Sequence, residues 1–306
     1  MTGQPAIPLR AWGDLALLAL LWGAIFLFIA LALREMTPLW LVFFRVAPAA
    51  AALWLVAWMR GERAPRGAAA GGAFLVMGLL NNLIPFGLIT WGQQAVESGL
   101  ASILNGATAV FGILVAAALL RDERLTARRL AGALLGLAGI AAIVGPEALA
   151  GFDLRSLGQI AILGAALSYA FAGVWAKTRM KGLSPLVSAA GMLTASSFLA
   201  LPAALLLEGP PPAPERALTF AALAYISLAG TAGAYLLYYR VLAAAGSGNL
   251  MLVTIVMPPI SVALGALVLG ERLAPGVLLG AALILLGLAI IDGRLLRLLG
   301  KRARAA

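Results

Sequence analysis

The side chains that most often carry chemistry at a protein site are missing from this chain. It has no Cys and no His, which removes thiolates, disulfides and the usual general base and metal ligand. Its 12 carboxylates all fall in connecting segments or at the ends of apolar stretches, with Asp14 and Asp292 at such ends. Near the middle of those stretches lies a short set of neutral polar and aromatic residues. Asn81 and Asn82 precede Pro85, which lacks a backbone donor and frees a carbonyl. Asn105 and Thr108 are three apart, hence on one face of a helix. Ser168 and Tyr169 are adjacent, and Thr254 and Ser261 flank Met257, Pro258 and Pro259. Trp22 and Phe26 are four apart, as are Tyr235 and Tyr239. Such groups leave the toolkit for catalysis nearly empty, so no enzyme, metal or cofactor is expected. They suit binding: a hydrophobic ring needs a flat, polarisable wall, and an ammonium needs a π-face. The expected substrate-binding residues are Trp22, Asn81, Asn82, Asn105, Ser168, Tyr169 and Tyr235, with Pro258 and Pro259 as hinge. The competing role for each polar residue is an interhelical hydrogen bond.

The elements that must position these groups are apolar helices. Hydrophobic residues make up 63% of the 306 positions and charged residues 11%, against roughly 25% charged in soluble domains. Mean hydropathy is +1.02. A spanning helix needs roughly 20 mostly apolar residues. Segments at about 12–33, 39–58, 68–92, 98–119, 126–145, 157–176, 184–207, 217–239, 248–270 and 275–293 qualify. The expected fold class is an all-α integral membrane protein of ten transmembrane helices. The first segment is too long for the apolar region of a signal peptide and reads as retained. Trp12, Trp40, Trp58 and Trp91 fall at segment ends, as in an interfacial aromatic belt.

Basic residues give the orientation, because cytoplasmic loops are rich in Lys and Arg. With the N-terminus inside, 17 of the 22 basic residues lie on the cytoplasmic side. Four lie opposite (Arg34, Arg155, Arg216 and Arg272), and Arg45 is inside the second segment. Both termini are therefore expected in the cytoplasm, and the net charge of +10 reads as a topology signal, with no nucleic-acid partner. Arg45 lies about six residues from the outer end of its segment, so snorkelling to the surface is the preferred reading. The alternative is attraction of a substrate carboxylate.

The chain also repeats itself. Leu119 to Val144, shifted by 148 residues, lands on Leu267 to Asp292, and 12 of the 25 positions from Leu119 to Ile143 are identical. Glu123-Arg124-Leu125 fall on Glu271-Arg272-Leu273, Gly132 on Gly280 and Gly139 on Gly287. A period of half the chain marks a duplication, with residues 1–150 as one five-helix repeat and 151–306 as the other. Five spans separate the copies, and an odd number of crossings inverts the second. Inverted repeats are typical of secondary transporters, whose site lies at the midplane between halves. Gly132, Gly136 and Gly139, with Gly280 and Gly287, are assigned to close helix packing.

With Trp22-Gly23, Phe44-Arg45, Pro258 and the Gly270-Glu271-Arg272-Leu273 turn in this order, the chain resembles the EamA-type members of the drug/metabolite transporter superfamily. Among them it is most similar to the YddG-type exporters of aromatic amino acids. The resemblance implies export of aromatic and other small amino acids or related metabolites by alternating access, from the inner (plasma) membrane, as a monomer or weak homodimer. The family's proline in the fourth span is Val110 here, so bending is expected mainly at Pro258 in the ninth. No acid lies near a span centre, where a coupling ion is usually bound, so uncoupled uniport is expected. A proton-coupled exporter of multiple drugs or quaternary cations is the alternative.

Overall fold

Hydrocarbon supplies no hydrogen bonds, and a helix satisfies its backbone within one segment; this chain uses that solution throughout. The computed structural model describes residues 9–65, 67–121, 126–144, 154–245, 250 and 252–292. Among the described residues there is no strand. Helices α1 (Leu9–Ala32) and α2 (Pro38–Met59) are followed by α3 (Ala68–Gly78), which widens into a π-helical stretch, π1 (Leu79–Leu83), and continues as α4 (Ile84–Gly92). Then come α5 (Ser98–Asn105), α6 (Ala107–Leu119), α7 (Ala127–Val144), α8 (Leu154–Arg179) and α9 (Pro185–Leu207). Helix α10 (Ala217–Ala224), π2 (Tyr225–Gly233) and α11 (Ala234–Ala245) form one stretch, as do α12 (Leu252–Leu264) and π3 (Gly265–Leu269), before α13 (Pro275–Asp292). Pro38, Pro185 and Pro275 stand at helix starts, where the missing donor would be unpaired anyway.

Seven stretches are long and apolar enough to cross a membrane: Leu9–Ala32, Pro38–Met59, Ala68–Gly92, Ser98–Leu119, Arg155–Arg179, Pro185–Leu207 and Ala217–Ala245. The other three expected spans coincide with α7, which opens on Arg128 and Arg129, and with the shorter apolar helices Val256–Leu269 and Pro275–Ile290.

Four glutamates fasten helix ends together. A helix start leaves backbone N–H groups unpaired and carries a partial positive charge, so a carboxylate satisfies both. Glu208, just past α9, accepts from Thr37 Oγ1 (2.5 Å), Leu39 N (3.0 Å) and Trp40 N (3.2 Å) at the start of α2. Glu62, just past α2, accepts from Ser184 Oγ at the start of α9. Each helix of this pair caps the other, so the two run antiparallel. Glu271 accepts from Ser98 N (2.7 Å), Ser98 Oγ (3.0 Å) and Gly99 N (3.0 Å) at the start of α5. Gly270 takes φ 71°, a turn that favours glycine, and a Cβ at Gly265 would collide with the Glu271 carboxylate. The second copy of the repeated Glu-Arg-Leu motif thus supplies a cap carried across to another helix; the first copy, Glu123 to Leu125, lies outside the described residues. Glu35, after α1, takes Thr219 Oγ1 and Arg216 N (3.2 Å) at the start of α10.

The repeat glycines meet one another. A Cβ on Gly139 would lie 2.6 Å from Gly280 O, one on Gly280 2.6 Å from Gly139 O, and one on Gly287 2.5 Å from Gly132 O. The earlier glycine of α7 therefore faces the later one of α13 and the reverse, an antiparallel crossing with backbones in direct contact.

One expectation needs correction. Trp58 is 76% exposed, as a belt residue should be, but Trp40 is 3% exposed and donates Nε1 to Gly209 O (3.1 Å), so it closes the α9–α10 connection instead. Pro258 and Pro259, the expected hinge, lie inside α12, and the fourth span breaks at Gly106 between α5 and α6. A glycine lowers the helix barrier there without a proline.

Two measurements test these assignments. Gly280→Val is expected to destabilise the α7–α13 crossing by ~1–3 kcal/mol, read as a lower melting temperature in detergent. Gly276→Ala, with open space around it, should leave that temperature unchanged. The Thr219 hydroxyl, followed by the Arg216 and Glu215 amides, holds the Glu35 carboxyl below its ordinary range. A depressed folded value stabilises above the unfolded pKa of ~4.3 and is lost as pH falls through the folded value. Glu35→Gln should therefore flatten the acid limb of melting temperature against pH, leaving a stability difference at pH 7.

Candidate substrate-binding site

Polar residues cluster in and beside two π-helical stretches, π1 and π2. A π turn carries one extra residue and leaves carbonyls short of partners, a geometry frequent at functional sites. In π1, Ser168 Oγ on α8 donates to Leu80 O (2.7 Å). In π2, Thr231 Oγ1 donates to Ile226 O (2.7 Å). The same Thr231 oxygen accepts from Arg45 Nε (3.1 Å) on α2. The Arg45 guanidinium carbon stands 3.4 Å from the centre of the Phe86 ring on α4, a cation–π contact that stabilises by ~2 kcal/mol when desolvated. Arg45 is only 7% exposed and does not snorkel. Tyr169 and Tyr235 pack against the apolar cluster to which Phe86 belongs.

Asn81 joins this cluster: its Nδ2 donates to Tyr235 OH (3.0 Å). From Tyr235 a chain of rings leads to α1. Tyr235 stacks on Tyr239 (centroids 6.3 Å, 20°), Tyr239 meets Tyr238 edge-on (5.2 Å, 90°), and Tyr238 packs against Trp22 (5.9 Å). Tyr169 also lines a cleft of about 240 Å³ between α6 and α8, with Thr108, Gly112 and Lys177 on its walls. Asn105, at the break before α6, has a buried Oδ1 with no partner among the described residues. A groove of about 260 Å³ between α2 and α9 is lined by Phe43, Trp54 and Phe198; Phe198 is 76% exposed, and this groove belongs to the outer face.

The structure thus brings Tyr169 and Tyr235 to the apolar cluster that contains Phe86, the ring against Arg45, with Asn81 bonded to Tyr235 and Trp22 reached through the ring chain. It sets Asn82 and Ser168 apart. Asn82 is fully buried and donates to Ser196 Oγ (2.9 Å) on α9, while Ser196 bonds Met192 O (2.7 Å) and Gly78 O (3.0 Å). Ser261, likewise buried, donates to Ser98 O (3.3 Å). These hydroxyls and amides tie helices together. Among the described residues no carboxylate lies in this cluster: Asp14 pairs with Arg240 (2.9 Å), Glu97 with Arg155 (3.3 Å) and Glu35 with Arg216 (3.7 Å), all at helix ends. Asp122, Glu123, Glu147 and Asp153 lie outside the described residues.

Comparison with known proteins gives the family. The pattern of the EamA-like transporter family matches twice, at residues 11–145 and 156–292. The chain belongs to this family. Relatives of this EamA-like protein include a probable amino-acid metabolite efflux pump of Escherichia coli (strain K12), 29% identical over 92% of this chain and 94% of the relative. A probable terminal-alkyne amino-acid exporter of Streptantibioticus cattleyicolor is 30% identical over 72% of this chain and 71% of its own length. The uncharacterized transporter YoaV of Bacillus subtilis (strain 168) is 24% identical over 88% and 92%. A protein of known crystal structure shares the fold, with a TM-score of 0.65 over 94% of this chain and 97% of its own at 21% identity. The EamA-like chain is accordingly a multi-pass membrane protein of a transporter family, not an enzyme.

Sequence reasoning missed Thr231, Phe86 and Tyr238 and placed Arg45 at the surface. Thr231 precedes Tyr235 by four residues, a same-face spacing that was legible; Phe86 and Tyr238 carried no signal beyond ring chemistry. Because Asn82 is spent on Ser196, Asn82→Leu is expected to lower stability by ~1–3 kcal/mol through the hydrogen bond that the buried Ser196 oxygen no longer accepts. The folded fraction should keep the transport KM of the native EamA-like protein, whereas Asn81→Leu should raise it.

Proposed function

We propose that this protein exports aromatic and other small amino acids or related metabolites across the plasma membrane by alternating access. The observation that carries the reading is the run of rings from Trp22 to Tyr235, ending on the amide of Asn81. Rings of this kind receive an aromatic side chain, and the polar end receives an amino-acid backbone. The names of two relatives, an amino-acid metabolite efflux pump and an amino-acid exporter, support the same substrate class.

The architecture in this proposal is ten spans in two inverted five-helix halves, 1–150 and 151–306, with both termini cytoplasmic. Three observations support it. The family pattern matches once in each half. The antiparallel glycine crossing of α7 and α13 relates equivalent residues of the two halves, as an inverted repeat requires. Contacts between connections also respect the alternation: Glu62 with Ser184 and Asp14 with Arg240 join expected cytoplasmic segments. Thr37 with Glu208, Glu35 with Arg216, and Glu97 with Arg155 join expected outer ones. Rocking of one half against the other would use the break at Gly106 and the paired Pro258 and Pro259 as hinge. No described acid lies at the site, so substrate moves down its own gradient without a coupling ion.

The decisive experiment is uptake of labelled Phe, Trp or Thr into proteoliposomes, with and without an imposed pH gradient. Saturable uptake independent of the gradient is expected, falling ~10-fold or more in Trp22→Ala, in line with loss of an aromatic wall. Concentration of substrate only under a pH gradient overturns uniport and favours the proton-coupled reading. Absence of uptake for every amino acid moves the substrate to another metabolite class.

A further inference from the structure

The guanidinium of Arg45 has more donors than the protein uses. Its five N–H groups form a planar fork, and among the described residues only Nε has an acceptor, Thr231 Oγ1. Phe86 covers one face of the plane. No described residue accepts from the two terminal nitrogens or forms an ion pair with Arg45. Thr231 and Phe86 therefore hold the guanidinium in place from one edge and one face and leave the opposite edge free. That edge is the one that grips a carboxylate through two parallel hydrogen bonds. A buried charge without a counter-ion is costly, and membrane proteins keep one where a ligand or ion path needs it.

The neighbours complete a recognition pattern. Among the described residues the Asn81 amide uses only its NH2 group, on Tyr235, Asn82 and Met192, and its oxygen accepts no hydrogen bond. That oxygen is suited to an ammonium. Tyr235 links the amide to the ring chain and packs on the apolar cluster that contains Phe86, the ring against Arg45. One cation, one neutral acceptor and a run of rings match a zwitterion bearing an apolar side chain. They do not match a permanent cation, which the guanidinium would repel.

We propose that Arg45 binds the substrate carboxylate through its free edge, and that the transported class is therefore compounds with a free carboxylate, α-amino acids above all. The assignment deepens the amino-acid reading above and rests on it for the identity of the substrate. Arg45 acts as a specificity-determining residue, held in register by Thr231 and Phe86. An exporter of quaternary cations is disfavoured by the same residue.

The test uses the full-length protein in proteoliposomes and compares L-phenylalanine with L-phenylalaninamide, which keeps ring and ammonium but lacks the carboxylate. The native protein is expected to prefer the acid by ~100-fold or more, since a site built to bond a polar group rejects the analogue lacking it. In Arg45→Gln, phenylalanine transport should fall to the level of the amide, so that the ratio drops to about threefold or less. Arg45→Gln keeping a native melting temperature shows that the fold is intact. A preference that survives Arg45→Gln, or that is absent from the native protein, overturns the assignment. Should Arg45→Gln fail to fold, Arg45→Lys decides, because it keeps the charge and loses the fork: a preference reduced about tenfold supports the role, and an unchanged one sinks it. A second arm uses 3-phenylpropionate, a carboxylate without an ammonium, as the probe in a thermal-shift assay. Stabilisation of the native protein but not of Arg45→Gln upholds carboxylate binding even if no amino acid is transported, in which case only the amino-acid reading falls. Equal shifts for both proteins, or none for either, count against Arg45.

Discussion

A carboxylate at a helix start does for this protein what water does at the ends of soluble helices. The first backbone N–H groups of a helix have no partner within it and carry the positive end of its dipole. Glu208, Glu62, Glu271 and Glu35 each reach from one connection to the start of a helix distant in sequence. Because Glu208 and Glu62 act reciprocally between α2 and α9, they fix direction as well as distance. The packing between the caps depends on that alignment. Glycines of α7 and α13 meet only if the helices run opposite ways, and a Cβ at either contact would meet a carbonyl oxygen at about van der Waals overlap.

Between these fastened ends the helices depart from regular geometry where the polar cluster lies. The π1 and π2 stretches widen the turn and leave carbonyls that Ser168 and Thr231 satisfy. Lipid offers no substitute for those donors, so hydroxyls were to be expected beside each wide turn. Thr231 serves twice, giving its proton to Ile226 O and accepting from Arg45. The third stretch, π3, ends on Gly270 and delivers Glu271 to α5. Irregular backbone in this bundle is thus coupled either to the cluster or to a cap.

Much of the site was legible in the residues themselves. The scarcity of polar groups within apolar stretches singled out Asn81, Tyr169 and Tyr235, and these converge. Asn82 shows the limit of that logic. It is adjacent to Asn81, yet one step along the helix turns it about 100°, towards Ser196 and away from the cluster. Trp40 and Trp58 occupy similar positions near the ends of one helix, but the fold covers the first and leaves the second exposed. Arg45 is the clearest case, since six residues from a helix end allow either snorkelling or burial. The choice fell to Thr231 and Phe86, 186 and 41 positions away.

The sequence by itself determined the solvent, the helical class, the duplication and the family, because each is written in composition, in the period of apolar residues or in residues recurring at a fixed offset. Those signals are local or additive, and no contact between distant residues is needed to read them. The tertiary structure alone decided which polar groups face one another, which tie helices together and where the one interior charge points. A side chain's direction depends on the rotation and tilt of its helix, and these are set by glycine contacts and glutamate caps between segments up to 184 residues apart. That is why the list of candidate residues was legible in the chain, and the arrangement of rings and amide around Arg45 was not.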